Sequence, residues 1–270
     1  MTLPMNPTLP TTSKSQIATW AACLYTALMG LGMAYMKSVR GITYDMPEMM
    51  NVIWFFMLVG TALTGFFVVR YFGWQAVGFR QLRPRQLLWL ALPIAILVVM
   101  WTTLIQGLNS TPLSVGQWQL FAIAGFTTFL VGVNEEIMYR GMVLHGFLTT
   151  RSVPKAMLTS AIAFSLLHAV NIFGGVPIAS VPFQLALTFL FGCFFAPLML
   201  KLNHIVPLII FHWLWDFCLF ASSILGEQVH SNVTHASFAF FPIEFVLAIL
   251  LWRRIKKEQP ISTQPAIPNP

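Results

Sequence analysis

Charged residues are scarce in this sequence. They make up 9% of its 270 residues, whereas hydrophobic residues make up 57%, and the mean hydropathy is +0.75. Soluble domains are about one quarter charged, so this composition excludes an ordinary soluble protein. The apolar runs are continuous and close to the length of a bilayer-spanning helix, unlike the alternating segments of about ten residues in membrane barrels. The sequence therefore predicts an all-α fold, a polytopic transmembrane helical bundle.

Cysteine is also rare. The three cysteines, Cys23, Cys193 and Cys218, all lie inside apolar runs. An odd number of membrane-embedded cysteines provides no disulfide framework, so we interpret them as packing residues. The net charge of +7 is interpreted as loop Lys and Arg that orient a membrane chain, and no nucleic-acid partner is expected.

Eight spans follow from the hydropathy pattern. They are predicted at residues 17–36, 50–69, 87–107, 118–149, 154–172, 183–201, 205–224 and 237–252. The Pro-rich segments 1–15 and 258–270 are predicted to be disordered tails, which leaves residues 16–257 as one membrane domain. An even number of spans puts both termini on one side, and every Lys and Arg except Lys37 and Arg40 then lies on that side. We therefore expect a multi-pass cell-membrane protein, in the cytoplasmic membrane if prokaryotic, with both termini cytoplasmic.

Acidic residues are few as well, and half of the eight fall inside predicted spans: Glu135, Glu136, Asp216 and Glu244. A carboxylate at the centre of a membrane helix costs about 2.5–3.5 kcal/mol on insertion scales, so each needs a partner or a function. Glu136 and Arg140 are four residues apart, which favours an ion pair and leaves Glu135 free. Glu244 is expected to be a structural residue that reaches the nearer membrane surface.

Two histidines lie at a compatible depth. Glu135 and His168 are equally far from the predicted loop at 150–153, about 22 Å at the rise of an α-helix, so they are level in the hairpin. His212 and Asp216 are four residues apart and share a helix face. Three helices can therefore bring these four side chains to one level inside the membrane. A carboxylate beside histidines is typical of general-base chemistry on water.

Three motifs resemble those of a known family. Glu135-Glu136-x-x-x-Arg140, Phe164-x-x-x-His168 and His212-x-x-x-Asp216 are similar, in order, to the signatures of the CAAX-protease and bacteriocin-processing family of intramembrane endopeptidases, which is related to the CAAX prenyl endopeptidase. The resemblance covers roughly residues 118–220.

The resemblance implies a glutamate-dependent endopeptidase. Glu135 would activate the hydrolytic water, His168 would bind or orient it, and His212 and Asp216 would form the oxyanion site. Glu136 and Arg140 would support the architecture. Asp216 stands where the family commonly has Asn and has no amide donor, so orienting His212 is its alternative role.

The implied partners are the lipid bilayer and a membrane-associated peptide or protein substrate. We expect no obligatory cofactor. Zn²⁺ held by Glu135, His168, His212 and Asp216 is the alternative, although the chain has no His-Glu-x-x-His motif. Two other functions stay open. One is a non-catalytic bacteriocin-immunity or scaffold protein of the same fold, and the other is a proton-coupled transporter.

Overall fold

The computed structural model describes residues 13–258, and within that range every regular element is helical. The predicted tails lie almost wholly outside the described residues, although Lys14 and Ser15 already belong to the first helix and Glu258 ends the last one. The helices are α1 (Lys14–Ser38), α2 (Met50–Phe67), α3 (Ala91–Ser110), α4 (Val115–Glu135), α5 (Leu144–Leu148), α6 (Val153–Leu167), α7 (Val181–Leu202), α8 (Val206–Ile224), α9 (Glu227–Phe238) and α10 (Phe240–Glu258).

Shorter helical segments extend these helices. A π-helical segment, Glu136–Val143, joins α4 to α5, and a 3₁₀ segment, His168–Gly174, continues α6. With such extensions, eight helices in the described range are long and apolar enough to cross a membrane. They are Lys14–Ser38, Pro47–Phe72, Pro84–Ser110, Val115–Leu148, Val153–Gly174, Ile178–Leu202, Val206–Ile224 and Glu227–Lys257. The predicted eight-span helical bundle is confirmed, and the chain is a multi-pass membrane protein.

Local sequence signals start two of the spans. Ser13 caps α1 and Ser114 caps α4, each in a capping box completed by Gln16 or Gln117. The serine oxygen accepts from the backbone N–H three residues on, and the glutamine side chain accepts from the serine backbone N–H. These boxes satisfy N–H groups at the helix ends that have no partner within the helix.

Close helix packing places α4 at the centre of the bundle, between α2 and α8. A Cβ atom added to Gly132 would lie 3.0 Å from the carbonyl oxygen of Ile209 and 3.1 Å from the backbone nitrogen of Trp213. Glycine therefore lets the backbones of α4 and α8 approach each other. On the other side of α4, the Asn134 amide donates to the Met57 carbonyl in α2 at 2.9 Å. These contacts fix the end of α4 just before Glu135.

Candidate active site

The two adjacent glutamates lie where the helix changes type. Glu135 is the last residue of α4, and Glu136 is the first of the π segment. Every residue of that segment is buried. Single turns of π-helix are rare and frequently mark functional sites. The sequence predicted an uninterrupted α-helix here, because nothing in its apolar pattern indicates a change in hydrogen-bond offset.

Glu136 is fully buried, and one of its carboxylate oxygens has two hydrogen-bond partners. Its Oε1 atom accepts from Nη1 of Arg140 at 3.1 Å and lies 2.8 Å from Nδ1 of His212. The ion pair with Arg140 that the four-residue spacing predicts is therefore present. The hydrogen bond to His212 of α8 was not predicted. An ionised carboxylate only accepts hydrogen bonds, so Nδ1 of His212 carries a proton. The other ring nitrogen of His212 is thereby turned away from Glu136.

The Arg140 guanidinium is fully buried against aromatic rings. Its Cζ atom lies 3.9 Å from the centroid of Phe164, and Phe195 and Phe191 are 5.4 and 5.6 Å away. Charge on the guanidinium is stabilised by the Glu136 carboxylate and by the ring faces. Phe164, which belongs to the motif with His168, therefore packs on Arg140 of the motif with Glu135 and Glu136. This contact joins α6 to the π segment.

Glu135 has a different environment. Its side chain is 7% exposed, and it lines a cavity of about 550 Å³. Its Oε2 atom has no hydrogen-bond partner in residues 13–258 and lies 3.9 Å from Nε2 of His212. Glu135 therefore combines an unpaired, buried carboxylate oxygen with a place in the cavity wall.

The other predicted site residues line the same cavity. His168, His212 and Asp216 all contribute to its wall beside Glu135. Nδ1 of His168 lies 3.0 Å from the Phe164 carbonyl oxygen, which can only accept, so Nε2 of a neutral His168 ring keeps its lone pair. Oδ2 of Asp216 lies 3.4 Å from Nε2 of His212, and the Asp216 side chain is 20% exposed. The four side chains thus line one cavity, as expected from their predicted depths in the membrane.

Further polar residues line the cavity, among them Tyr44, Asn171, Gln184 and His230. None was predicted as a site residue. Tyr44 lies in the loop between α1 and α2. Burial chiefly, and then the charges of Asp216 and Glu135, raise the pKa of the Tyr44 hydroxyl well above its usual range. That hydroxyl stays protonated and can donate a hydrogen bond. The sequence did not predict Tyr44 as a site residue, because a residue in a loop is not part of a helical hydrophobic pattern.

Glu244 differs from the expectation. It is fully buried, so the prediction that it reaches the membrane surface is wrong. Phe240, one turn earlier on α10, packs against Phe194 and Trp215 and holds this face of the helix inside the bundle. Both Glu244 carboxylate oxygens lack hydrogen-bond partners within the described residues.

A bound metal ion is the alternative that the sequence leaves open for this site. Among residues 13–258, no group of three or more His, Cys, Asp or Glu side chains is arranged to hold one.

Comparisons with known proteins agree with the motifs. Residues 116–218 match the family model described as type II CAAX prenyl endopeptidase Rce1-like. The matched region begins in α4, ends in α8 and contains all six predicted site residues. No curated protein and no solved structure matches the chain. The predicted resemblance is therefore confirmed over residues 116–218, which are similar to this membrane protease family.

Proposed function

We propose that this protein is an intramembrane endopeptidase that hydrolyses a peptide bond through a water activated by Glu135. The observation that carries the proposal is that Glu135, which has an unpartnered carboxylate oxygen, lines one cavity together with His168, His212 and Asp216. Burying a carboxylate without a partner inside the membrane costs free energy, so its presence indicates a function. The family match over residues 116–218 supports peptide hydrolysis as that function.

In the first step, Glu135 takes a proton from water as the water oxygen attacks the scissile carbonyl carbon. Nε2 of His168 accepts a hydrogen bond from the same water and orients it. The new C–O bond moves the carbonyl electron pair onto oxygen. General-base assistance of this kind contributes about 10²–10⁴-fold to a rate.

The developing oxyanion needs donors. We assign this role to Nε2–H of a protonated His212, whose positive charge Glu136 and Asp216 stabilise from two sides. Asp216 thus acts on His212, which is the alternative role that its missing amide indicates. Glu135 then returns its proton to the leaving nitrogen as the C–N bond breaks. The oxyanion reforms the carbonyl as this bond breaks, so the first products are a carboxylic acid and an amine, and Glu135 is ionised again. The acid then passes its proton to the amine, which leaves one carboxylate and one ammonium group.

The proposed reaction needs no obligatory metal. If it is correct, extensive dialysis against a chelator leaves the cleavage rate of the purified protein unchanged. Loss of cleavage that Zn²⁺ alone restores would contradict this part of the proposal without affecting the role of Glu135 as a base.

The test is a comparison of protein termini in membranes that contain the wild-type protein or the Glu135→Gln variant. Gln has nearly the same shape as Glu but cannot take a proton. Glu48→Gln is the matched control because Glu48 is exposed and outside the cavity. We expect a set of new termini in wild type and control that is missing in Glu135→Gln. Identical termini in all three would favour the non-catalytic alternative.

A further inference from the structure

The catalytic cavity reaches only one face of the bundle. Besides residues within the spans, its wall contains Tyr44 from the α1–α2 connection, Val176 and Ser180 from the α6–α7 connection, and His230 from α9. These connections alternate with segments 73–83, 149–152 and 203–205, which lie on the side of the chain termini. The latter three segments contribute nothing to the lining of the cavity.

The other end of the cavity is closed by the buried cluster already described. Glu136 and Arg140 are fully buried, and Phe164 covers the guanidinium. A peptide approaching from the side of the termini would have to displace this charged pair from its aromatic surroundings. Breaking a buried pair costs about 3–5 kcal/mol, so this end is a wall rather than an entrance.

The rim on the open side is apolar and exposed. Phe183, at the start of α7, lines the cavity and is 59% exposed, and its ring lies 6.4 Å from Phe238 of α9. Ser180 beside it is also exposed. Exposed phenylalanine rings favour contact with apolar groups over contact with water. The mouth of the cavity is thus suited to a chain segment that lies at the membrane surface.

Part of the cavity wall is rich in methionine. Five methionines of α1, the α1–α2 connection and α2 line it: Met29, Met33, Met49, Met50 and Met57. Methionine side chains are flexible and polarisable, so they adapt to apolar groups of different shapes. This wall favours an apolar segment over a charged one.

The charges of the loops identify the open face. On the side of the termini, the connecting segments carry Arg80, Arg83 and Arg151, whereas the open side has only Lys37 and Arg40 beside Asp45 and Glu48. Cytoplasmic loops of membrane proteins carry the excess of Lys and Arg. The open face is therefore the non-cytoplasmic one.

We infer that substrate enters from the non-cytoplasmic face, and that the substrates are apolar segments of membrane-associated proteins whose scissile bond lies at that surface. The cleavage part of this inference rests on the proposed function, whereas the sidedness rests on the cavity and the loop charges. A cytoplasmic protein tail would meet the closed end of the cavity.

Cysteine labelling tests the sidedness without any substrate. In a chain with its three native cysteines replaced by Ala, Ser180→Cys reports the cavity rim and Ser152→Cys reports the opposite side. The two positions are matched, because both are exposed serines next to the start of a helix. A membrane-impermeant maleimide is added to right-side-out vesicles and again after detergent.

We expect Ser180→Cys to react in intact vesicles and Ser152→Cys to react only after detergent. The reverse pattern, or reaction of both in intact vesicles, would overturn the inference, whatever Glu135→Gln does to cleavage. A second readout uses the termini that depend on Glu135. These should map to the non-cytoplasmic side of their proteins, and cytoplasmic termini would also overturn the inference. Absence of any such termini would instead contradict the proposed function.

Discussion

Glu135 and Glu136 are neighbours in sequence but lie in opposite environments. Glu136 shares one oxygen between Arg140 and His212 and is fully enclosed. Glu135 lines the cavity and has a buried oxygen without a hydrogen-bond partner in the described range. Neighbouring positions on one helix therefore hold a carboxylate that is bonded to Arg140 and to α8 and a carboxylate that is unpaired. In the proposed function, the first acid supports the fold and the second acts on water.

The largest effect on the enclosed cluster is expected from Arg140→Met. Methionine fills much of the space but leaves the Glu136 carboxylate buried without its cation. We expect a loss of about 3–5 kcal/mol in the free energy of unfolding. Arg85→Met is the control, because Arg85 is exposed and should tolerate the change. Unfolding of both variants in detergent measures the difference, and equal stabilities would show that the Glu136–Arg140 pair is not structural.

His212→Ala should affect both carboxylates, because this ring bonds Glu136 and lies 3.9 Å from Glu135. Removing the donor to Glu136 is expected to lower the free energy of unfolding by about 1–3 kcal/mol. Cleavage should fall further than the folded fraction does, since the oxyanion donor is lost as well. Measuring both quantities on one sample separates the two effects. A drop in stability with full cleavage by the folded fraction would remove His212 from the proposed chemistry.

Gly132→Ala tests how α4 is positioned against α8. The added Cβ would meet backbone atoms of Ile209 and Trp213, so the helices must move apart. Overpacking of this kind costs about 1–3 kcal/mol. Gly116→Ala in the same helix is the control, because a Cβ there meets open space. Thermal unfolding should separate the two variants. If both behave alike, the close approach of α4 and α8 does not set the geometry of the site.

The smallest effect on cleavage is expected from Glu244→Gln. Glu244 is as buried as Glu136, but it neither lines the cavity nor makes hydrogen bonds within residues 13–258. A neutral amide of the same shape should leave the cleavage rate close to that of wild type and not lower the unfolding midpoint. A large loss of cleavage would show that Glu244 belongs with Glu135 and Glu136 in one functional network.

The spans and the meeting of the motif residues could be predicted from the sequence, because hydropathy and residue spacing are local signals. The bond between Glu136 and His212 could not, since it depends on how closely α4 packs against α8. The π segment and the cavity contacts of Tyr44 and His230 were missed for the same reason. The burial of Glu244 is decided by ring packing between α7, α8 and α10, which no single helix pattern shows.

In the proposed function, Glu135 activates water whereas the fold depends on Glu136. The cleavage rate of purified Glu135→Gln protein tests this division, with the unfolding midpoint recorded on the same sample. The substrate is one found by comparing termini. If Glu135 is the general base, the rate falls about 10²–10⁴-fold below wild type and the midpoint is unchanged. Cleavage at the wild-type rate by the folded variant would contradict it.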